Sequence, residues 1–430
     1  MKDVTYRLID AYLYDYPYIE RFLTNQAAKG WHLEKAGGIL WKFRRGESKN
    51  VRYEVTYSPA ASAFNSRPTE AEEDLADLCA QAGWVRVATA AQLQVFRNED
   101  PNATPLETDE RERLKNIRRT MRKHLFPQYG LMVFLFLFQF AMHASNLLRW
   151  PSRTLSSSLT VFTLAMLPMV SLSYLILMTD SLLWLRRAER AVQDGQPIPA
   201  NGFYRRFRWV LLAGLAAYLC SLFAMAGLTF AWAILGISAI TIGCVYGIIS
   251  LCKYLNAPKW VNIVVPVAVT GVVMIFLLTL FAMSMDRISL NEEPPHPDTL
   301  PLMLSDLGDF GDAEHTVLEE TSSPLSSYGR YWDEAGEERI SYTIVDVKCP
   351  LFYNMIQAEQ EQQFLQSVSY LTDGEIAVHA EAFGAEYARR AQNDLRDRWH
   401  ICWEDRIISL TATWPLTEEQ VAVIAEILKP

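Results

Sequence analysis

The sequence predicts a membrane α-helical bundle of about five spans. An N-terminal α+β cytoplasmic domain and a C-terminal α+β extracytoplasmic domain flank it. Three observations predict this class. A nearly charge-free block fills the middle of a 430-residue chain whose ends read as soluble sequence. Basic loops alternate with poorly charged ones along that block. Charge is also split: from Asp286 onward 28 acidic side chains oppose 10 basic ones, although the whole chain carries only −9. A basic front and an acidic tail suggest ends that lie in different compartments.

Residues 1–100 form the first domain. The pattern predicts a helix over Ile19 to Lys29, with Leu23 and Ala27 on its buried stripe and Gly30 closing it. Strands follow. Ile39, Trp41 and Phe43 alternate with Leu40, Lys42 and Arg44, and Val51 to Tyr57 repeats with a period of two. Glu72 to Ala82 makes a second helix, closed by Gly83, and Val85, Val87 and Leu93 to Phe96 supply more strand. Ala28-Lys29-Gly30-Trp31 is echoed by Gln81-Ala82-Gly83-Trp84. In each, glycine permits a left-handed turn and the tryptophan is expected to plug the seam between helix and sheet. This echo predicts two α–β–β halves in a layout close to ferredoxin-like, with Gly30, Trp31, Gly83 and Trp84 as structural residues.

The same residues carry a family resemblance. Ala27 to Leu33 (AAKGWHL), the Trp41/Phe43 strand, Arg52-Tyr53, and Ala82-Gly83-Trp84 with Phe96-Arg97 resemble the bacterial domain of unknown function 2812. The resemblance runs from about residue 5 to residue 100. It implies a membrane protein whose cytoplasmic module precedes several spans. Members of the family often lie beside PadR-type transcription regulators, which implies regulation through a cytoplasmic protein partner. The family supplies no catalytic residues.

Residues 101–129 read as a basic juxtamembrane linker. Pro101, Asn102 and Pro105 break structure, and Arg118, Arg119, Arg122 and Lys123 are expected to face anionic lipid, at about 1 kcal/mol per nearby charge. Direct nucleic-acid binding is the rival reading. It is disfavoured because the run abuts the first span and lacks interleaved aromatic residues. The bundle, 130–285, needs roughly 20 apolar residues per crossing. The expected spans are 130–148, 159–179, 209–228, 231–251 and 261–284. The third and fourth come from an uncharged run, Trp209 to Cys252, which as one helix would measure about 66 Å, so a hairpin is expected near Gly227 to Trp232. Met1 to Tyr18 lacks an apolar core, so insertion is expected to depend on the first internal span. Basic clusters before the first span and after the second place the N-terminus in the cytoplasm, and an odd number of spans places the C-terminus outside. Trp150, Trp184, Trp209 and Trp260 are expected as headgroup anchors.

Transport chemistry is sparse in these spans. His143 and Asp180 fall near span ends, where capping or snorkelling explains them. Gly243-x-x-x-Gly247, Pro168 and Pro266 suit bundle packing.

Beyond the bundle, 286–338 reads as an acidic, loop-rich linker and 339–430 as the outer domain. Ile340, Tyr342 and Ile344 mark a strand, and Ala385 to Leu395 reads as helix. A hairpin is expected from His400 to Thr413, turning at Glu404-Asp405. Thr417 and Gln420 form a capping box for a last helix bearing Val421, Ile424 and Leu428. Cys349 and Cys402 are a possible disulfide, if that side is oxidising. The seven histidines are scattered without ligand spacing, and Asp306 to Asp312 lacks a full calcium loop, so no metal or cofactor is expected. No phosphate-binding loop, zinc-protease motif or nucleophile elbow occurs, so the chain reads as a non-enzyme. A regulatory or sensory membrane protein is the leading expectation. A transporter, or an accessory subunit of a membrane export complex, is the alternative.

Overall fold

The computed structural model describes residues 3–9, 15–37, 40–62, 64–65, 67–226, 228–273, 300–368, 376–377, 380–393 and 395–430. The chain divides into two compact units. The first comprises Met1–Leu135 with Val170–Ala282, and the second Phe136–Met169 with Met283–Pro430.

The first unit opens with two copies of one motif. Strand β1 (Val4–Leu8), helix α1 (Tyr16–Ala28), β2 (Trp31–Lys35) and β3 (Leu40–Arg45) form a three-stranded sheet ordered β1-β3-β2. Strand β4 (Arg52–Tyr57), helix α2 (Glu70–Gln81), β5 (Val85–Ala90) and β6 (Leu93–Asn98) repeat it, ordered β4-β6-β5. The central strand runs antiparallel to both neighbours in each sheet, so the outer two are parallel and need the helix as a crossover. The repeat unit is therefore β–α–β–β, and the expectation of a ferredoxin-like layout is corrected to two separate three-stranded sheets. The reason lies in β1. Its side chains are half-buried or exposed, so no apolar alternation announced a strand there.

The linker expectation for 101–129 is also corrected. Residues 103–107 are hydrogen-bonded along β4, as detailed below. Helix α3 (Glu110–Thr120), one π turn (Met121–Leu125) and α4 (Phe126–Arg149) then form an unbroken 40-residue helix. Short α5 (Pro151–Ser156) turns the chain into α6 (Ser158–Gln193), which holds Pro168 within it. Helices α7 (Phe203–Ala226) and α8 (Leu228–Tyr254) follow, and Gly227 of the expected hairpin lies outside the described residues. Among the described residues, three helices are long and apolar enough to cross a membrane: Glu110–Arg149, Ser158–Gln193 and Leu235–Tyr254. A shorter apolar helix, α9 (Val261–Val273), occupies the start of the expected fifth span, whose remainder lies outside the described residues. On α4, Leu131, Phe134, Leu137, Phe138 and Met142 are exposed, an apolar surface suited to lipid. Trp150, Trp209 and Trp260 are likewise exposed, whereas Trp184 is fully buried and its indole donates to the Pro199 carbonyl at 2.8 Å. Trp184 thus anchors the 194–202 loop to α6 rather than sitting at a headgroup.

The second unit holds a seven-stranded antiparallel sheet ordered β10-β11-β12-β13-β9-β8-β7. Its strands are β7 (Glu314–Ser322), β8 (Ser326–Ala335), β9 (Glu338–Val347), β10 (Ile376–Ala377), β11 (Tyr387–Asn393), β12 (Arg396–Cys402) and β13 (Arg406–Ala412). Helices α10 (Leu304–Leu307), α12 (Ala380–Phe383) and α13 (Glu418–Leu428) cover one face, with Tyr342, Trp399 and Leu410 between them. Helix α11 (Tyr353–Val368) lies on the other, over Val345, Cys402 and Ile407. Two expectations are corrected. The supposed linker 286–338 contains β7 and β8, full members of the sheet, and 286–299 lies outside the described residues. The expected helix at Ala385 to Leu395 is β11, because Ala388 and Ala391 pack under other elements while the backbone pairs with β12. The β12–β13 hairpin and the Thr417/Gln420 capping box stand as expected.

Candidate functional site

The hydrophobic core of the N-terminal domain continues into the long helices. Phe43, Tyr53 and Val95 from the sheets share one cluster with Leu114, Ile117, Met121, Leu125 and Tyr129 along α3 and α4. Leu177, Trp184, Leu185 and Ala188 of α6 join the same cluster. The 3.6-residue period explains the first set, since 114, 117, 121 and 125 fall on one helix face.

Beside this core lies a junction of buried charges. Arg52, Glu54 and Thr56 occupy the polar positions of β4, which an exposed strand would leave in water. Here residues 103–107 cover them. Arg52 donates to the Ala103 carbonyl at 2.7 Å and pairs with Glu54 at 2.8 Å. Glu54 accepts from the Leu106 amide at 2.6 Å, and Thr56 donates to Glu107 at 3.2 Å. Arg113 of α3 donates to Glu107 at 2.9 Å, and its guanidinium stands 4.9 Å from the Tyr16 ring centre. Glu20 of α1 accepts from the Val55 amide at 3.0 Å. Burial pushes the Glu20 carboxyl up to about 7 despite the bond from Val55. Burial opposes the Arg113 charge, but Tyr16 and Glu107 outweigh it and hold the guanidinium firmly protonated. The junction thus ties α1, β4 and α3 into one polar lock at the root of the first long helix.

The β4–α2 loop reaches the other helices. Arg67 donates to Asn256 in the α8–α9 turn at 2.9 Å, and Asn262 of α9 donates to the Phe64 carbonyl at 2.8 Å. Lys123 donates to the Pro59 carbonyl at 3.0 Å. All four basic residues expected to face lipid, Arg118, Arg119, Arg122 and Lys123, are exposed. Arg118 also pairs with Glu189 of α6 at 2.7 Å, and Lys123 also donates to that loop.

The glycine–tryptophan echo has unequal members. Gly30 and Gly83 take φ of 77° and 79°, the left-handed turn expected of both. Trp84 is buried with Cys79 and Phe96, and its indole donates to the Thr104 carbonyl at 3.1 Å. Trp31 is only half-buried, with the Arg45 guanidinium 5.1 Å from its ring centre.

Residues 15–127 match the family model described as a protein of unknown function, DUF2812. That segment of the chain is similar to the DUF2812 family. The match runs from the first residue before α1 to just inside α4, so the DUF2812 segment includes the strap and α3 as well as the two sheets. Comparison with curated proteins and with solved structures finds no match. The boundary expected at residue 100 was too early, because Glu54 and Trp84 need residues 104–107 to satisfy them.

Unit two carries a second built contact. The C-terminal domain grips the α4–α6 connection. Glu359 of α11 accepts from the Ser152 amide at 2.8 Å, and Gln360 donates to the Ser152 hydroxyl at 3.2 Å. Burial raises the Glu359 carboxyl above its ordinary value. Arg153 pairs with Glu319 at 3.2 Å, Ser156 meets Thr321 at 2.8 Å, and Ser323 donates to the Leu155 carbonyl. Leu155 itself is buried with Tyr328, Val345 and Ile356. No local pattern marked Glu359 or Glu54, since both sit in stretches rich in polar residues.

Cys349 and Cys402 are free thiols in this structure. The Cys402 sulfur lies 3.3 Å from His400 Nε2, a geometry that resembles a nucleophilic pair. Burial drives the two apart chemically, raising the thiol to about 12 and lowering the imidazole to about 4. Both are neutral at pH 7, so the pair lacks a thiolate. Among the described residues, no group of three His, Cys, Asp or Glu side chains is placed to hold a metal ion.

Proposed function

We propose that this protein is a bacterial multi-pass membrane protein of regulatory or sensory type, coupling an extracytoplasmic C-terminal domain to a cytoplasmic N-terminal domain. One observation carries the reading. Helices α4 and α6 each enter the N-terminal core at one end, through Tyr129 or Leu177 and Trp184, and pack at the other beside the C-terminal clamp, through Leu147 and Val161. A continuous helix with a folded domain at each end is a route by which displacement passes between them. The charge pattern supports the orientation, since the N-terminal side is basic and the C-terminal side acidic.

The output partner is a cytoplasmic protein, in line with a PadR-type regulator system. Deleting residues 286–430 from the full chain is expected to alter the transcript profile while membrane insertion persists. An unchanged profile counts against the reading, and uptake of a solute by the purified protein in vesicles would replace it with transport.

A further inference from the structure

The first unit contains a cavity of about 1140 Å³ between the two sheets and the last turns of α8. That is slightly above the range of about 300–1,000 Å³ usual for small-molecule sites. Its lining is chemically lopsided. Lys35, Lys42 and Lys253 contribute three ammonium groups, and no Asp or Glu is among the described residues that line it. Lys42 lies 2.6 Å from Glu34, but Glu34 also accepts from Arg44 at 3.0 Å, so this carboxylate is already shared by two cations. Among the described residues, neither Lys35 nor Lys253 stands in an ion pair. The rest of the wall is largely apolar, with Trp41, Leu93, Leu125 and Ile249. Leu40 and Tyr246 also line it and are 59% and 71% exposed. Ala91, in the β5–β6 turn that forms part of the wall, is held at φ 53°, a conformation unfavourable for a residue with a Cβ. An excess of lysines over carboxylates fits an anion, and apolar walls fit a hydrocarbon chain. Ile249 and Lys253 place both features on one helix, one turn apart.

We propose that this cavity binds an anionic amphiphile, with its phosphate or carboxylate head at Lys35, Lys42 and Lys253 and its acyl chain along Trp41, Leu93 and Ile249. The proposal rests on the membrane reading of α8, whose apolar turns end at Lys253 where headgroups would lie. Such a ligand would occupy the space between the DUF2812 sheets and the helix, and so would bias the contacts through which the domain meets the bundle.

The test uses the full chain in phosphatidylcholine nanodiscs containing a minor fraction of phosphatidylglycerol, read by native mass spectrometry. The expected result is one retained phosphatidylglycerol per chain in preference to phosphatidylcholine. The double variant K35A/K253A should weaken retention about tenfold or more, and K35R/K253R should restore it. Palmitate that displaces the lipid identifies a free source for the same chemistry; phosphatidylglycerol that palmitate leaves in place identifies the bilayer as the source. Equal retention by wild type and K35A/K253A, with both variants shown folded by circular dichroism, overturns the proposal. So does displacement by inorganic phosphate as effective as by palmitate. Alkaline carbonate extraction of the chain from membranes tests the membrane reading separately. If the chain is released, palmitate binding by the soluble chain, lost in K35A/K253A, still decides the cavity.

Discussion

Glu20 illustrates what a single buried carboxyl does to stability. In the unfolded chain it titrates near 4.5, and in the fold burial lifts it to about 7. Its contribution is therefore fully present below pH 4.5 and is lost as pH rises through about 7, because the unfolded state releases its proton first. Glu20→Gln is expected to remove that loss and to stabilise the DUF2812 domain by about 1–3 kcal/mol at pH 8, with little effect at pH 4.5. Thermal unfolding followed across this range checks it. The two echoed glycines give a paired test. A Cβ at Gly30 would stand 2.8 Å from the Gly46 carbonyl oxygen, which is backbone and cannot move aside. At Gly83 the nearest atom is the Asn98 side-chain nitrogen at 3.3 Å, which can rotate. Gly83→Ala should cost about 1 kcal/mol from the left-handed φ alone, and Gly30→Ala measurably more. Equal losses in denaturant titrations would contradict the steric argument.

At the scale of elements, the contact between α11 and the α4–α6 connection is held by a buried carboxylate on a backbone amide. Glu359→Ala leaves the Ser152 N–H without its acceptor and should loosen the contact by about 1–3 kcal/mol. Hydrogen exchange is expected to rise at residues 151–158. Thr417→Ala serves as a contrast. It removes the N-cap of α13, with a cost of about 1 kcal/mol to the C-terminal domain, yet α13 lies on the opposite sheet face from α11. Exchange at 151–158 should therefore stay unchanged. A rise there in both variants would mean that the whole sheet, and not the Glu359 contact, holds the connection.

For the whole molecule, the odd number of crossings is the assumption that gives the domains different solvents. A reporter active only on the outer side is expected to work when fused after Pro430 and to fail when fused before Met1. Activity of both fusions on one side would end the coupling model, whatever the fate of the cavity. Cooperativity should also follow the cores. Because Leu114, Ile117 and Met121 share a core with Trp184 and Ala188, the DUF2812 segment should unfold together with the Leu177–Ala188 part of α6.

Short-range physics made part of this protein legible in its sequence. Runs of apolar residues marked the long helices, since a bilayer-crossing helix needs little beyond length and lack of charge. The alternation of Trp41 and Phe43 marked β3, and the Thr417/Gln420 pair marked the start of α13, because both signals are complete within a few residues. Gly30 and Gly83 marked their turns for the same reason. Tertiary structure alone decided the rest. β1 carries no buried face, β11 reads as a helix until β12 pairs with it, and β7 and β8 read as linker until the sheet recruits them. The lock of Glu20, Glu54 and Arg113, the grip of Glu359 on Ser152 and the lysine-lined cavity bring together residues up to about two hundred positions apart. Burial and pairing over such distances depend on where other segments fold, and no local pattern of side chains encodes that.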